Sequence, residues 1–406
     1  MLASCTTTAP DTTSISPALI ETGTWRFSLS LGANELPFNV HVYEDQGSLL
    51  ADIINAEERI TIKDIRRVGD SLYLRMPLFD SEFKGVISEG GTYSGVWANY
   101  DKGDYTLAFT ATHNSHHRFC SHSDDQVPDG FQGKYKVSFS PGSEEDEYPA
   151  IGQFEASATN NRITGTFMTE TGDYRYLEGN FCMGKLLLSC FDGSHAFRFE
   201  AEWKNGRLVN GVFQSGKHWQ EPWVAIKDAD AQLTDPHHLT SVIDTSAMNG
   251  LRFPGPKGSN YMIGAKENKG KVTILQVMGS WCPNCIDETL VFKEYYQKYH
   301  EKGLEIVPIA FESQREAEAA FEITERLRSR LELPYPIYYG GYRSKSEALE
   351  RLPFLNKVIS FPTSIVLDKT GNVRDVHTGF YGPGTKDYYS KYVEETEALI
   401  VSLLEE

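Results

Sequence analysis

The sequence predicts two domains: an all-β N-terminal part, an antiparallel barrel or sandwich, followed by a smaller α/β sandwich. Three observations carry this reading. A chain of 406 residues exceeds one ordinary domain and suits two. The formal charge of −17 is unevenly shared, with −15 on residues 1–245 and −2 on residues 246–406. The texture also changes near residue 250, from short alternating runs between polar turns to longer apolar runs and helical spacing. Apolar residues at 40%, with 21 Tyr and 22 Phe, exclude a disordered chain. The acidic excess argues against a nucleic-acid partner, whose backbone calls for clustered Lys and Arg. No run approaches the roughly 18 apolar residues of a membrane span.

Residues 1–20 are Ser/Thr/Pro-rich and without periodicity, so they read as a disordered tether. Leu2-Ala3-Ser4-Cys5 resembles the cleavage box of bacterial lipoproteins, which makes Cys5 a candidate lipid anchor. The charged and apolar segments of a signal peptide do not precede it, and a chance cysteine is the alternative.

Residues 21–228 read as the β-rich domain. Trp25–Leu31, Ser71–Met76 and Tyr135–Phe139 alternate, and further strands are expected at 163–169, 175–182, 185–191, 195–203 and 207–213. Many short strands joined by Gly- and Asp-containing turns predict the barrel or sandwich. An internal echo suggests duplication: Phe79-Asp80-Ser81 lies 112 residues before Phe191-Asp192-Gly193, and Trp25-Arg26-Phe27 is answered by Tyr135-Lys136-Val137. Two related sheets closing on one core would account for it. Between the two copies, His113, His116, His117, Cys120, His122, Asp124 and Asp125 form a polar cluster. It reads first as a connector, with zinc binding as the alternative, because the spacing fits no closed site. Cys182 and Cys190 read as small buried thiols, with a disulfide between them as the lesser alternative. This part offers no catalytic group.

Residues 229–249 read as a linker, and residues 250–406 as the second domain. Lys271–Met278 is a buried strand, Ile286–Tyr296 continues a helix, and Leu304–Phe311 is a second strand in which Pro308 is a blemish. A helix is expected from about Gln314 to Leu331, and a strand pair at 364–368 and 372–376. Residues 386–405 close the chain as an amphipathic helix. Strand, turn, Cys282-Pro283-Asn284-Cys285, helix is the strongest signal in the chain. It sets two thiols in a first helical turn, where unpaired N–H groups stabilise a thiolate at Cys282 and Cys285 stands ready to resolve a mixed disulfide. Half of a zinc site is the alternative, and it is disfavoured because no cysteine follows residue 285 and the four earlier ones lie in the other domain or the tail. The second signal is Phe361-Pro362-Thr363 ahead of a buried strand, where a cis proline or an edge-strand proline would fit.

Trp281-Cys282-Pro283-Asn284-Cys285 with Phe361-Pro362-Thr363 resembles the thioredoxin superfamily, and more narrowly the envelope thiol–disulfide oxidoreductases of the TlpA and ResA type. The resemblance covers residues 250–406 and implies a thioredoxin-like fold. It implies Cys282 as nucleophile, Cys285 as resolving thiol, Trp281 and a cis Pro362 beside them, and Glu288 as a carboxylate that manages the proton of the resolving thiol. A solvated helix carboxylate and a packing tryptophan are the plain alternatives for Glu288 and Trp281. Leu290 stands where the family has a proline, and Gln276 where cytosolic thioredoxin has a buried Asp. The function expected is reduction or exchange of disulfides in bacterial envelope proteins, recharged by an upstream thiol donor protein. No cofactor and no metal are expected. The expected place is the periplasm or the periplasmic face of the outer membrane, lipid-anchored through Cys5. The competing functions are a membrane-tethered binding or assembly protein working through the β-domain, and a thiol peroxidase, against which Gly279 stands where that branch has Thr.

Overall fold

The computed structural model describes residues 19–120, 126–157 and 160–406. Cys5 and its tether, and His122, Asp124 and Asp125 of the polar cluster, lie outside the described residues.

The N-terminal half is two up-and-down antiparallel barrels in series. The first uses β1 (Gly23–Ser30), β2 (Glu35–Asp45), β3 (Ser48–Asn55), β4 (Glu58–Ile62), β5 (Asp64–Val68), β6 (Ser71–Arg75), β7 (Ser81–Ile87), β8 (Thr92–Asn99) and β9 (Tyr105–His113). Each strand pairs with the next, except that the chain steps from β4 to β5 through Lys63 alone; β9 returns to β1 and closes the ring. The second uses β10 (Gly133–Phe139), β11 (Tyr148–Ala156), β12 (Arg162–Thr169), the two-residue β13 (Gly172–Asp173), β14 (Leu177–Cys182), β15 (Lys185–Phe191), β16 (Ala196–Lys204), β17 (Arg207–Ser215) and β18 (Trp219–Lys227). Here β18 returns to β10, and β11 pairs with β12. The pleat sends alternate side chains inward. Trp25, Phe27, Phe38, Phe83, Tyr93 and Trp97 fill the first interior, and Phe131, Tyr135, Phe139, Phe154, Phe167 and Trp223 the second.

The expectation of two sheets on one core is therefore corrected: each half closes on its own aromatic filling. The two loops that echo each other in sequence, 76–80 and 192–195, occupy matching places, between β6 and β7 and between β15 and β16. The reading of Cys182 as a free thiol is also corrected, because Cys182 is bonded to Cys120, and Cys190 is the free buried cysteine among the described residues. Cys120 comes from the connector between the barrels, whose course the local sequence did not reveal. Arg118 of the same connector is buried and donates to the Ile54 carbonyl, to Asn55 and to Ser189, so it ties both barrels together. His113 contacts Glu21 and the Thr22 carbonyl, and no metal-binding group of His, Cys, Asp and Glu occurs among the described residues.

The C-terminal half begins with a small hairpin, β19 (Arg252–Pro254) and β20 (Asn260–Met262). It continues with β21 (Val272–Met278), α1 (Pro283–Tyr299), β22 (Leu304–Glu312), α2 (Ala317–Arg330), β23 (Tyr338–Tyr342), α3 (Lys345–Arg351), β24 (Thr363–Leu367), β25 (Val373–Thr378) and α4 (Asp387–Glu405). The five-stranded sheet runs β23-β22-β21-β24-β25, with β21 to β23 parallel and β24 and β25 antiparallel to their neighbours. Every residue of β21 is buried, as an apolar run covered on both faces requires. Pro308 is tolerated because the outer neighbour β23 pairs only from Ile309 onward. The segment before β19 is docked on this half: Thr240 meets Thr378, Ile243 N donates to the Phe354 carbonyl, and His237 contacts Asp375. No described helix is long and apolar enough to cross a membrane.

Candidate active site

β21 ends at Met278, and the chain turns through Gly279-Ser280-Trp281 into α1. Gly279 is required there, since a Cβ would lie 2.3 Å from the Trp281 indole nitrogen. The same crowding leaves no room for the peroxidase-type Thr. Trp281 Nε1 donates to the Phe311 carbonyl at 2.8 Å, and its ring meets Phe361 edge-on. Cys282 is the N-cap of α1 in extended conformation, and its Sγ accepts from Cys285 N at 3.2 Å. Pro283 follows at the first helical position, where its missing N–H costs nothing. The helix start therefore directs free N–H groups and the positive dipole end at Cys282.

Cys282 and Cys285 form a disulfide with Cα atoms 5.3 Å apart. Cys285 is sealed from solvent, while Cys282 retains a small exposed face. The Phe361–Pro362 bond is cis, and the Phe361 carbonyl oxygen lies 3.4 Å from Cys282 Sγ. Glu288, one turn into α1, is fully buried. It accepts from Tyr392 Oη and from Gln276 Nε2, both at 2.8 Å, and Gln276 Nε2 also reaches the Cys285 carbonyl at 3.2 Å. Burial pushes its carboxyl up to about 7, against the Tyr392 and Gln276 hydrogen bonds that favour the carboxylate. Leu290, on the outside of α1, is 40% exposed and takes no part. The structure thus brings together all five expected residues: Trp281, Cys282, Cys285, Glu288 and Pro362.

Sequence reasoning missed three groups around them. Glu312, at the end of β22, is buried and accepts from Ser280 N and Oγ at 2.8 and 2.6 Å; burial lifts it to about 7. An acidic residue ending an apolar strand was the available signal. Tyr392 lies on α4, which the sequence marks only as an amphipathic helix. The third group comes from the second barrel, and no local pattern announced it. A cavity of about 250 Å³ opens over Cys282 between the two halves. One side is Trp281, Cys282, Pro283, Asn284 and Phe361; the other is Thr169 and residues 171–175 with His195 and Phe197. The turn around β13 sits directly on the site: Asn284 Nδ2 reaches the Asp173 carbonyl at 3.4 Å, and Ser360 Oγ donates to the Thr171 carbonyl at 2.7 Å. Gly172 has φ +142°, and a Cβ there would lie 2.3 Å from Asn284 Nδ2.

A family model described as Redoxin matches residues 251–391, which contain the cysteine pair and the cis proline. The C-terminal half is a thioredoxin-superfamily redoxin domain. It is related to a thiol–disulfide oxidoreductase ResA of Bacillus thuringiensis subsp. konkukian, 32% identical over 132 residues, covering 32% of this chain and 66% of that protein. The thioredoxin-like protein YneN of Bacillus subtilis is 25% identical over 114 residues, covering 28% of this chain and 60% of that one. The chain thus spans just under two thirds of the length of these relatives, and the barrels lie outside the match. Among solved structures, a putative thiol:disulfide interchange protein DsbE of Chlorobium tepidum aligns over 38% of this chain and 92% of its own, at 20% identity and a TM-score of 0.29. The redoxin domain carries a redox-type Cys-x-x-Cys pair at its helix start.

Proposed function

We propose that the protein is a thiol–disulfide oxidoreductase that reduces or exchanges disulfides of bacterial envelope proteins through Cys282 and Cys285. The observation that carries this is the pair itself: Cys282 at the mouth of a cavity and at a helix N-terminus, Cys285 buried behind it. In the reduced protein the Cys282 thiolate attacks a substrate disulfide and forms a mixed disulfide. Cys285 then attacks Cys282 Sγ and releases the reduced substrate. Glu288, which titrates near neutrality and touches the Cys285 turn through Gln276, takes up the proton of the resolving thiol. Pro362 and the Phe361 carbonyl border the substrate path, and Trp281 shields the helix start. An upstream thiol donor protein recharges the pair. The envelope setting, with a lipid anchor at Cys5, is carried over from the TlpA and ResA resemblance and the lipoprotein-like Leu2-Ala3-Ser4-Cys5 box.

A thiol-buffer titration of the full chain tests this reading. The pair is expected to cycle as one two-electron couple that disappears in C282A. A folded protein whose accessible Cys282 and Cys285 never interconvert between dithiol and disulfide would sink it.

A further inference from the structure

The barrels approach the redox site through one preorganised loop. Asp192, between β15 and β16, is buried and accepts from the backbone N–H groups of Ser194 and His195 at 2.8 and 2.6 Å. Its second oxygen lies 3.1 Å from His195 Nδ1 and 3.6 Å from Arg175 Nε. Burial works against ionisation here, yet His195 and Arg175 hold the Asp192 carboxyl down at about 2. An ionised Asp192 fixes one ring proton on Nδ1, so that in the imidazolium form the second, transferable proton sits on Nε2.

The first barrel fixes the same loop. Asn99 Nδ2 and Lys102 Nζ donate to the Ser194 carbonyl at 3.3 and 3.2 Å, and Ser81 Oγ donates to the Gly193 carbonyl. Ser194 Oγ in turn reaches the carbonyl of Trp281, the residue before Cys282, at 3.4 Å. The His195 ring stacks on Phe197 with centroids 4.5 Å apart and lines the cavity that opens over Cys282. Among the described residues, no hydrogen-bond partner holds Nε2. His195, oriented by a buried aspartate, lines the same cavity as the Cys282 sulfur, and an oriented histidine facing a reacting sulfur is an arrangement used for proton transfer in thiol chemistry.

We infer that His195, positioned by Asp192, is the general acid that protonates the substrate sulfur expelled when Cys282 attacks. The inference rests on the oxidoreductase reading above and adds to it a catalytic group from the β half. The electron pair of the Cys282 thiolate forms the bond to the nearer substrate sulfur. The substrate S–S bond breaks, its electron pair stays on the farther sulfur, and that sulfur takes the proton from His195 Nε2 and leaves as a thiol. Cys285 then displaces the retained half, which leaves as the second thiol with a proton from solvent. The substrate gains two electrons and two protons, and the cysteine pair is left as its disulfide. Solvent reprotonates His195, and a dithiol reductant restores the pair.

Leaving-group dependence tests the assignment. The full chain, reduced with dithiothreitol and desalted, is mixed in single turnover with bis(2-hydroxyethyl) disulfide, whose thiol leaves poorly, and with 4,4′-dithiodipyridine, whose thiol leaves readily without a proton. H195A and H195Q are expected to slow the aliphatic reaction roughly 10- to 100-fold and the aromatic one less than about twofold. The aromatic reaction also reports that the site is intact in each variant. Equal slowing of both reactions, or slowing of neither, would overturn the assignment. Wild-type protein inert toward both disulfides would instead remove the oxidoreductase reading, and the role of His195 with it.

Discussion

Glu288 is a carboxyl group without solvent, and burial lifts its titration to about 7 against the hydrogen bonds of Tyr392, Gln276 and Ser364. Its folded value is raised above the ordinary carboxylate value, so the folded state binds the proton more tightly than the unfolded chain does. Its contribution to stability is then fully present below about pH 4.5 and fades as pH rises through about 7. The difference amounts to about 3 kcal/mol for this group. Denaturant unfolding of wild type and E288Q across this range should show a difference curve with that slope; a flat difference would contradict the assigned burial. Asp287 and Glu312 shift in the same direction, so the comparison between variants is needed to isolate Glu288. In catalysis, E288Q should slow release of the mixed disulfide about 10- to 100-fold, measured by rapid quench, and remove an inflection near pH 7. Both cysteines were legible from a short motif whose chemistry is local, whereas Trp281, Glu288 and a cis Pro362 were expected through the family resemblance. Gln276 and Tyr392 were not legible as partners of Glu288, because their roles depend on how β21 and α4 pack over α1.

The secondary elements were legible where hydrophobic alternation was unbroken. β15 spans Lys185–Phe191 as expected, and β21 and α4 begin within one residue of their expected starts. β23 and α3 escaped because Tyr338–Tyr342 contains two glycines and Lys345–Arg351 is too short to show a period. Turn chemistry was read correctly as turns but not as a docking surface. The turn that carries β13 is an ordinary Thr-Gly-Asp in sequence, and only the closed second barrel aims it at Asn284. The connector was read as a polar link, whereas Cys120 bonds Cys182 across a separation of 62 residues. Loop-closure entropy makes this bond worth about 4 kcal/mol. A C120S/C182S protein should lose stability of that order in denaturant titration, with redox cycling of Cys282 and Cys285 retained. Unchanged stability would contradict the pairing.

An ionic node joins the three units of the molecule. Arg175 of the second barrel lies 2.6 Å from Glu58 of the first barrel, 3.6 Å from Asp192 and 2.7 Å from Asp287 of α1. Three carboxylates, two from the barrels and one from α1, face this one buried guanidinium and join three separately cored units at the redox site. Removing the cation leaves buried charge uncompensated. R175M is expected to cost about 3–5 kcal/mol and to split unfolding into separate transitions for the redoxin domain and the barrels; a single unshifted transition would contradict the node. Loop 76–80 of the first barrel packs against the same domain through Phe79, with Arg330 donating to the Leu78 carbonyl at 2.9 Å. The second barrel lines one side of the cavity over Cys282. The most direct measurement is mixed-disulfide trapping with a disulfide-bonded protein substrate. C285A should accumulate a covalent adduct through Cys282 that dithiothreitol releases, while C282A should form none. Adducts of equal yield in both variants, or none in C285A with Cys282 reduced and accessible, would contradict a nucleophilic Cys282 resolved by Cys285.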